Sequence, residues 1–188
     1  MQKTYLLKID QLERHLPIIP INATTAIASF VLLGDAELTH YAAEKLLKKL
    51  PTDFDYIVTL ESKGIPLAQE LSYLSHHSHY IVLRKSHKDY MYAPLSTTVH
   101  AITTQHPQQL FLDGHDGKLL AGKRIVIVDD VISSGGSLAA AKNLLEQANG
   151  KIIGQLAILA EGVASQRTDI SYLAELPIFK QSTQIVEK

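Results

Sequence analysis

The 188-residue chain contains no cysteine. That absence excludes disulfide frameworks, thiolate metal sites, cysteine catalysis and thiol redox switching. The chain also lacks an excess of charge, since 18 Lys and Arg stand against 19 Asp and Glu and give a formal net charge of -1. A net charge near zero argues against a positive electrostatic field over the whole surface that would attract DNA or an anionic membrane. It is compatible with a local binding site for an anion.

Long apolar runs are missing as well. Charged residues interrupt every hydrophobic stretch, and none approaches the ~18 apolar residues that span a bilayer. The first ten residues lack the apolar segment and small-residue cleavage site of a targeting signal. We therefore expect a cytoplasmic protein with no membrane or nucleic-acid partner. A hydrophobic fraction of 46% provides for a substantial core, and the length fits one domain.

Short apolar runs alternate with helical patterns along the chain. Continuous apolar character predicts buried parallel strands at residues 56–60, 80–83, 124–128 and 152–159. Helical spacing predicts helices after Asp35, from Ile65 and over residues 138–148. Residues 84–117 have weak periodicity, which favours a loop or hairpin excursion. The alternation is typical of an α/β protein with a parallel sheet and crossover helices.

Two aspartates and a loop of small residues follow the third predicted strand. In an open α/β sheet, ligands bind beyond the carboxyl ends of the strands, and Asp129 and Asp130 lie at such an end. The loop that follows consists of Ser133, Ser134, Gly135, Gly136 and Ser137. Uncovered backbone N–H groups, three hydroxyls and the positive end of the next helix predict a phosphate cradle. The two carboxylates suit neighbouring hydroxyl groups or a cation. A ribose 5-phosphate therefore fits the site, with its phosphate in the cradle and its hydroxyls at the aspartates.

A purely structural interpretation is that the aspartates cap a loop and the glycines allow a tight turn. The Ser-Ser-Gly-Gly-Ser cradle directly beyond the acidic pair weighs against it. Two nucleotide-binding alternatives weaken as well. No Gly-Lys-Ser/Thr closes a Walker loop, and Gly135-Gly136 lacks the spaced third glycine of the dinucleotide fingerprint.

Residues 125–137 resemble the phosphoribosyl-pyrophosphate (PRPP) motif of type I phosphoribosyltransferases, which is a strand, two acidic residues and a small-residue loop. Residues 59–65 resemble the pyrophosphate loop of that family. Residues 84–88 resemble the basic start of its flexible catalytic loop. The resemblance covers about residues 54–161, and its order and spacing are most similar to the adenine- and xanthine-type purine enzymes.

The resemblance implies a fold and a reaction. The fold is the three-layer type I phosphoribosyltransferase fold, a mostly parallel sheet flanked by helices, with a small N-terminal hood and a flexible hairpin loop. One domain over residues 1–188 would divide into the hood and first helix (1–50), a PRPP-binding core (51–165) and a C-terminal segment (166–188). A purine of adenine or xanthine type would displace pyrophosphate from C1 of PRPP, in nucleotide salvage. A homodimer is also implied.

The resemblance also assigns roles to single residues. Asp129 and Asp130 would meet the ribose hydroxyls and stabilise positive charge in the transition state. The 5-phosphate would bind to Ser133, Ser134, Gly135, Gly136 and Ser137. The pyrophosphate would be wrapped by Glu61, Ser62, Lys63 and Gly64, in a turn that often has a cis peptide bond, here between Ser62 and Lys63. The leaving group would be neutralised by Arg84, Lys85 and Lys88. Mg²⁺ would be held mostly by substrate oxygens, so no metal site made of protein groups is expected.

The segments that the resemblance would assign to binding the base match neither the adenine-type nor the xanthine-type enzymes. No Glu occurs between His87 and Gln109, where the adenine enzymes carry one in the catalytic loop. The pair Ser29-Phe30 is not followed by the Asn of the xanthine type. Phe30 is therefore a candidate to stack on the purine or, equally, a core residue. The apolar hood segment, residues 18–33, would leave selectivity largely to backbone groups.

Other features have simpler interpretations. Arg84, Lys85 and Lys88 could form a solvated patch, and the run His76-His77-Ser78-His79 fits an exposed turn better than a metal site. A functional alternative is a PRPP-binding regulator related to purine repressors, because the repressor pattern matches residues 63–68. The roughly 50 residues before the core show no basic helix-turn-helix pattern, which lowers this alternative.

Overall fold

The computed structural model describes residues 3–99 and 108–180. In chain order the elements are β1 (Thr4–Ile9), β2 (Leu12–Pro20), β3 (Thr25–Ala28), α1 (Ala36–Leu47), β4 (Tyr56–Leu60), α2 (Ile65–Leu74), β5 (Tyr80–Leu83), β6 (Leu95–Val99), β7 (Gln108–Leu112), α3 (Gly114–Leu120), β8 (Arg124–Ile132), α4 (Gly136–Gln147), β9 (Lys151–Glu161), a 3₁₀ helix (Gly162–Gln166), β10 (Ala174–Leu176) and β11 (Ile178–Lys180). None of the helices in these described ranges is long and apolar enough to cross a membrane.

The central sheet has the strand order β10-β9-β8-β4-β5, with parallel pairing throughout. Alternate residues of each strand enter separate cores, as expected for a sheet that is covered on both faces. Ile125 and Ile127 pack in the core that contains α4. Val126 and Val128 pack in the core that contains α1 and α2. The expected α/β fold with a mostly parallel sheet flanked by helices is confirmed.

The strand that carries the acidic pair is longer than its sequence predicts. We expected a strand over 124–128 and a turn from Asp129, but β8 pairs with β9 as far as Ile132 and Ala160. Its other neighbour, β4, makes its last pairing with β8 at Thr59 and Val128. The last residues of β8 therefore border an open edge on the β4 side, and the acidic pair lies on this edge.

The N-terminal sheet is antiparallel and has the order β1-β2-β3-β11. Its last strand comes from the C-terminal segment, with Ile178 paired to Ile27. The sequence division into 1–50 and 166–188 missed this pairing, because β11 has only three residues and carries no turn signal. Leu7 and Ile9 point into the core that this sheet shares with α1.

The expected excursion after β5 contains an antiparallel hairpin, β6 and β7, followed by α3. Arg84, directly after β5, pairs with Phe111 of β7 through two backbone hydrogen bonds. Thr97 of β6 donates to the side chain of Asn143 on α4 at 3.0 Å, which seats the hairpin on that helix. Residues 100–107, in the stretch between His87 and Gln109 that lacks the Glu of the adenine enzymes, lie outside the described residues.

Candidate active site

Asp129 and Asp130 lie side by side near the end of β8. Because successive side chains of a strand point to opposite faces, the two carboxylates leave the sheet in different directions. Asp130 shares the side of Val126 and Val128, and its side chain is only 5% exposed. Its Oδ2 forms an ion pair with Lys63 Nζ at 3.0 Å. Its backbone N–H donates to Asp129 Oδ1 at 2.9 Å, which ties the pair together.

Burial and, second, the neighbouring charge of Asp130 raise the pKa of Asp129 well above its usual range. The native state then holds a proton on Asp129 at pH values where the unfolded chain, with an Asp pKa of about 3.9, has released it. Stability therefore falls as pH rises from about 4 toward the raised pKa. This direction is opposite to that of a carboxylate in a favourable ion pair.

Changing Asp129 to Asn should therefore stabilise the protein at pH 7 to 8, by on the order of 1 kcal/mol, since one pKa unit is worth about 1.4 kcal/mol. The gain should shrink as pH falls toward 4 and vanish below it, where the unfolded wild-type chain also takes up the proton. Urea unfolding of both proteins at several pH values measures this difference. A gain independent of pH, or a loss at pH 8, would contradict the raised pKa.

The turn after β4 lies against the acidic pair. A Cβ on Gly64 would lie 2.8 Å from Asp129 Oδ1 and would also clash with the hydroxyl of Thr59. Gly64 is thus required for the close approach of this turn to β8. The Thr59 hydroxyl is buried and has no hydrogen-bond partner among the described residues. The cis peptide bond joins Glu61 to Ser62, one position earlier than the Ser62-Lys63 bond that the resemblance implied.

Lys63 connects this turn to both the acidic pair and the N-terminal sheet. Its Nζ contacts Asp130 and donates to the backbone oxygen of Phe30 at 3.4 Å. The ammonium group therefore lies between the acidic pair and the segment that follows β3. About two fifths of the side chain remains exposed, so the ammonium is accessible to an anionic ligand.

Glu61 holds the start of the segment after β5. Its carboxylate contacts Arg84 Nη2 at 3.1 Å and Lys88 Nζ at 3.9 Å, and it accepts a hydrogen bond from the Lys85 backbone N–H at 2.8 Å. Partial burial by itself would raise the pKa of Glu61, but these contacts outweigh it and leave the pKa below its usual value. Sequence reasoning grouped Glu61 with the pyrophosphate-binding residues. The structure directs the Glu61 carboxylate at the basic cluster, so the predicted role in pyrophosphate binding concerns the backbone of this turn.

The loop from Ser133 to Ser137 ends in the first turn of α4. Gly135 is the N-cap of that helix and has a φ of +81°, a conformation that favours glycine. The first turn of α4 carries no acidic residue, so its positive end is uncompensated by side chains. The loop lines a small cavity of about 70 Å³ together with Asp129.

A larger cavity, of about 300 Å³, brings the separate motifs together. Its lining comes from the turn after β4, the acidic pair and the residue that ends the small-residue loop: Glu61, Ser62, Lys63, Asp129, Asp130 and Ser137. Lys85 adds a further cation at the edge. The structure thus places three stretches that are distant in sequence around one polar pocket at the carboxyl ends of β4 and β8.

Other residues singled out in the sequence lie elsewhere. Phe30 is 5% exposed and packs in the core with Leu32, which favours the core interpretation of its ring. The neighbouring Val31 and Leu33 are about half exposed. His77 stacks on Phe54 near the amino ends of β4 and β5, away from the cavity, with ring centroids 4.2 Å apart. Within residues 3–99 and 108–180, no group of three or more His, Asp or Glu side chains could hold a metal ion.

Comparison with known proteins adds independent evidence. The family model described as phosphoribosyl transferase domain matches residues 33–180. The chain is 35% identical over 131 residues to an adenine phosphoribosyltransferase of Cenarchaeum symbiosum, covering 69% of this chain and 73% of that protein. It is 30% identical over 167 residues to a hypoxanthine/guanine phosphoribosyltransferase of Methanococcus voltae, covering 86% and 85%.

Solved structures are similar as well. The adenine phosphoribosyltransferase of Thermoanaerobacter pseudethanolicus superposes with a TM-score of 0.65 at 25% identity, over 77% of this chain and 84% of that one. The enzyme of that name from Rhodothermus marinus has the same TM-score at 19% identity, over 92% and 93%, and supports the fold. Motif order, sheet topology and these matches agree, and the chain belongs to the phosphoribosyltransferase family.

Proposed function

We propose that this protein transfers the 5-phosphoribosyl group of PRPP to a purine base and releases pyrophosphate. The observation that carries the proposal is the 300 Å³ cavity in which the acidic pair, the Lys63 turn and the end of the small-residue loop meet. The relatives named above support purines as the substrate class, because both carry the names of purine phosphoribosyltransferases.

In the proposed reaction, a purine ring nitrogen forms a bond to C1 of the ribose and releases its proton to solvent, as the bond from C1 to a pyrophosphate oxygen breaks. Positive charge develops on the ribose, and carboxylates fixed beside it stabilise that charge more than they stabilise the ground state. We assign this role to Asp129 and Asp130, which also accept hydrogen bonds from the ribose hydroxyls. The loop from Ser133 to Ser137 holds the 5-phosphate.

The leaving pyrophosphate is assigned to the other end of the cavity. The backbone of the turn from Glu61 to Gly64 and the Lys63 ammonium bind it there, with Arg84, Lys85 and Lys88 supplying further positive charge. Arg84 and Lys88 are already placed at this end by Glu61. Glu61 is therefore a positioning residue in this proposal, since it acts through the cations that it holds.

Mg²⁺ is the cofactor that we propose, on the basis of the donor set. Mg²⁺ is usually held by one or two carboxylates, waters and substrate phosphates rather than by a cage of protein groups. The site fits that preference, because Asp129 and Asp130 bring two adjacent carboxylates to the cavity, whereas the carboxylate of Glu61 is engaged by Arg84 and Lys85. The bound ion would neutralise charge on the pyrophosphate.

The hood is proposed to cover the base. The side chains that the segment after β3 leaves exposed are Val31 and Leu33, which provide apolar contact but no hydrogen bonds. Discrimination between adenine and the 6-oxopurines would therefore depend on backbone groups. The sequence resemblance favours adenine or xanthine, and a relative named for hypoxanthine and guanine adds those bases as candidates. A homodimer and a cytoplasmic location stay predictions.

A base panel tests the proposal. With PRPP and Mg²⁺, we expect pyrophosphate release with at least one of adenine, guanine, hypoxanthine and xanthine, and none above background with uracil or orotate. Excess EDTA should abolish the release, because the unshielded pyrophosphate is a poor leaving group. Tight PRPP binding without turnover on any base would contradict the enzyme proposal and indicate a PRPP-binding regulator. The relatives named above do not support that alternative.

A further inference from the structure

Arg167 is a cation that no sequence motif identified. It follows the 3₁₀ helix after β9 and is held by Asp169, through Nε to Oδ1 at 2.9 Å and through Nη2 to Oδ2 at 2.7 Å. Lys142 of α4 contacts the same carboxylate at 3.3 Å. The bidentate pair fixes the plane of the guanidinium group and leaves Nη1 as the nitrogen that Asp169 does not use.

That nitrogen lies against the small-residue loop. A Cβ on Gly135 would lie 2.5 Å from Arg167 Nη1. Nη1 is therefore within about 4 Å of the Gly135 Cα, given a carbon–carbon bond of about 1.5 Å. Gly135 is the N-cap of α4, so the guanidinium edge stands beside the first turn of that helix. A Cβ at this position would displace the guanidinium from where it lies.

The two N–H groups of Nη1 have no hydrogen-bond partner among the described residues, and the side chain is 30% exposed. Arg14 and Arg124 differ in this respect, whereas Arg84, which contacts Glu61, also has a buried Nε without a hydrogen-bond partner among the described residues. In Arg14, all three guanidinium nitrogens donate to carboxylate or carbonyl oxygens. In Arg124, all three contact the carboxylates of Asp53 and Asp55. Arg167 thus has donors available beside the loop that is assigned to the 5-phosphate.

The charge distribution around the cavity favours a role for those donors. Lys63 is paired with Asp130, and Arg84 and Lys88 are placed on Glu61, so these cations lie at the pyrophosphate end. The loop from Ser133 to Ser137 has no charged side chain. A phosphate dianion there would be near the acidic pair, and a cation at Gly135 would offset that repulsion.

We propose that Arg167 is a further binding residue for the 5-phosphate, which Nη1 contacts from the side of Gly135, and that Asp169 is its positioning residue. This inference rests on the proposed function and extends it to the C-terminal segment. The planar guanidinium can present two N–H groups toward one phosphate, which a lysine cannot do in a fixed geometry.

The test compares two ligands that occupy opposite ends of the site. Calorimetric titration of the full-length protein with ribose 5-phosphate, and separately with Mg²⁺ and pyrophosphate, is done for wild type and Arg167→Gln. We expect the Kd for ribose 5-phosphate to rise about tenfold or more, as for the loss of a charge-assisted hydrogen bond. The Kd for pyrophosphate should stay within about twofold of the wild-type value. Arg167→Lys should fall between wild type and Arg167→Gln for ribose 5-phosphate.

Arg124→Gln is the matched control, because it breaks a similarly exposed Arg–Asp pair at the opposite end of β8 and should change neither Kd. Unchanged ribose 5-phosphate affinity in Arg167→Gln would overturn the inference, and so would an equal loss for both ligands, which indicates a structural role. In either case, the proposed function still stands if the wild-type protein turns over PRPP with a purine. Failure of the base panel would instead remove the proposed function itself.

Discussion

Changing Asp129 and Asp130 together to Asn is expected to lower kcat/KM for PRPP by at least about 10³-fold while the protein stays folded. Asn keeps the size and one acceptor oxygen of each side chain, but it removes the negative charge of Asp130 and prevents Asp129 from ionising beside the cationic ribose. Positive charge that develops on the ribose then lacks its fixed counter-charge. Lys63 loses its partner, but its ammonium is partly exposed and remains hydrated, so this loss should not unfold the protein.

The measurement is pyrophosphate release with the purine that the wild type accepts, accompanied by thermal unfolding. Asp113 and Asp116 at the start of α3 offer a matched control, because burial raises the pKa of Asp116 as well. Asp113 caps α3, and Asn caps helices as well as Asp does. The double Asn variant at 113 and 116 should keep wild-type activity. If the variant at 129 and 130 retains a tenth or more of the wild-type rate, the role of the acidic pair is wrong.

Changing Gly64 to Ala is expected to lower kcat/KM by at least about 100-fold and to destabilise the protein by about 1–3 kcal/mol. The new methyl group would lie 2.8 Å from Asp129 Oδ1, and it would also meet the Asp129 Cα at 3.2 Å, which cannot rotate away. The turn must therefore move away from β8. That movement separates the Lys63 ammonium from the acidic pair and opens the cavity between the two ends of the substrate.

Gly117 provides the control for this change. It lies inside α3, and a Cβ there would make ordinary contacts, at 3.8 Å to Leu112 and Leu95. Gly117→Ala should raise the free energy of unfolding by about 0.5–1 kcal/mol, because alanine restricts the unfolded chain, and it should leave turnover unchanged. Full activity in Gly64→Ala would show that the close approach of the turn to Asp129 is unimportant for the reaction.

The parts of the fold that depend on local pattern were predictable. The limits of β4 and β5 match the predicted strands at 56–60 and 80–83, because strands buried on both faces appear as continuous apolar runs. Asp35 was predicted to begin a helix, and its carboxylate accepts a hydrogen bond from the Leu38 N–H as an N-cap. In each case neighbouring residues suffice to determine the structure.

Features that depend on distant partners were not predictable. The extension of β8 past Val128 is a pairing with β9, and backbone hydrogen bonds hold acidic residues in a strand where the sequence indicates a turn. Arg167 approaches Gly135 from 32 positions away, and nothing in its local sequence indicates that contact. Glu61 likewise meets Arg84 only because β4 and β5 are adjacent in the sheet. Sequence patterns identified the motifs but not the contacts among them.

The central claim is that the carboxyl ends of β4 and β8 form one PRPP site, and a crystal structure of the protein with Mg²⁺ and PRPP tests it most directly. The predicted result has the 5-phosphate on the backbone N–H groups of residues 133–137 and the ribose hydroxyls within hydrogen-bond distance of Asp129 or Asp130. The pyrophosphate should contact Lys63. PRPP bound outside this cavity, or bound with its 5-phosphate on the turn after β4, would contradict the account.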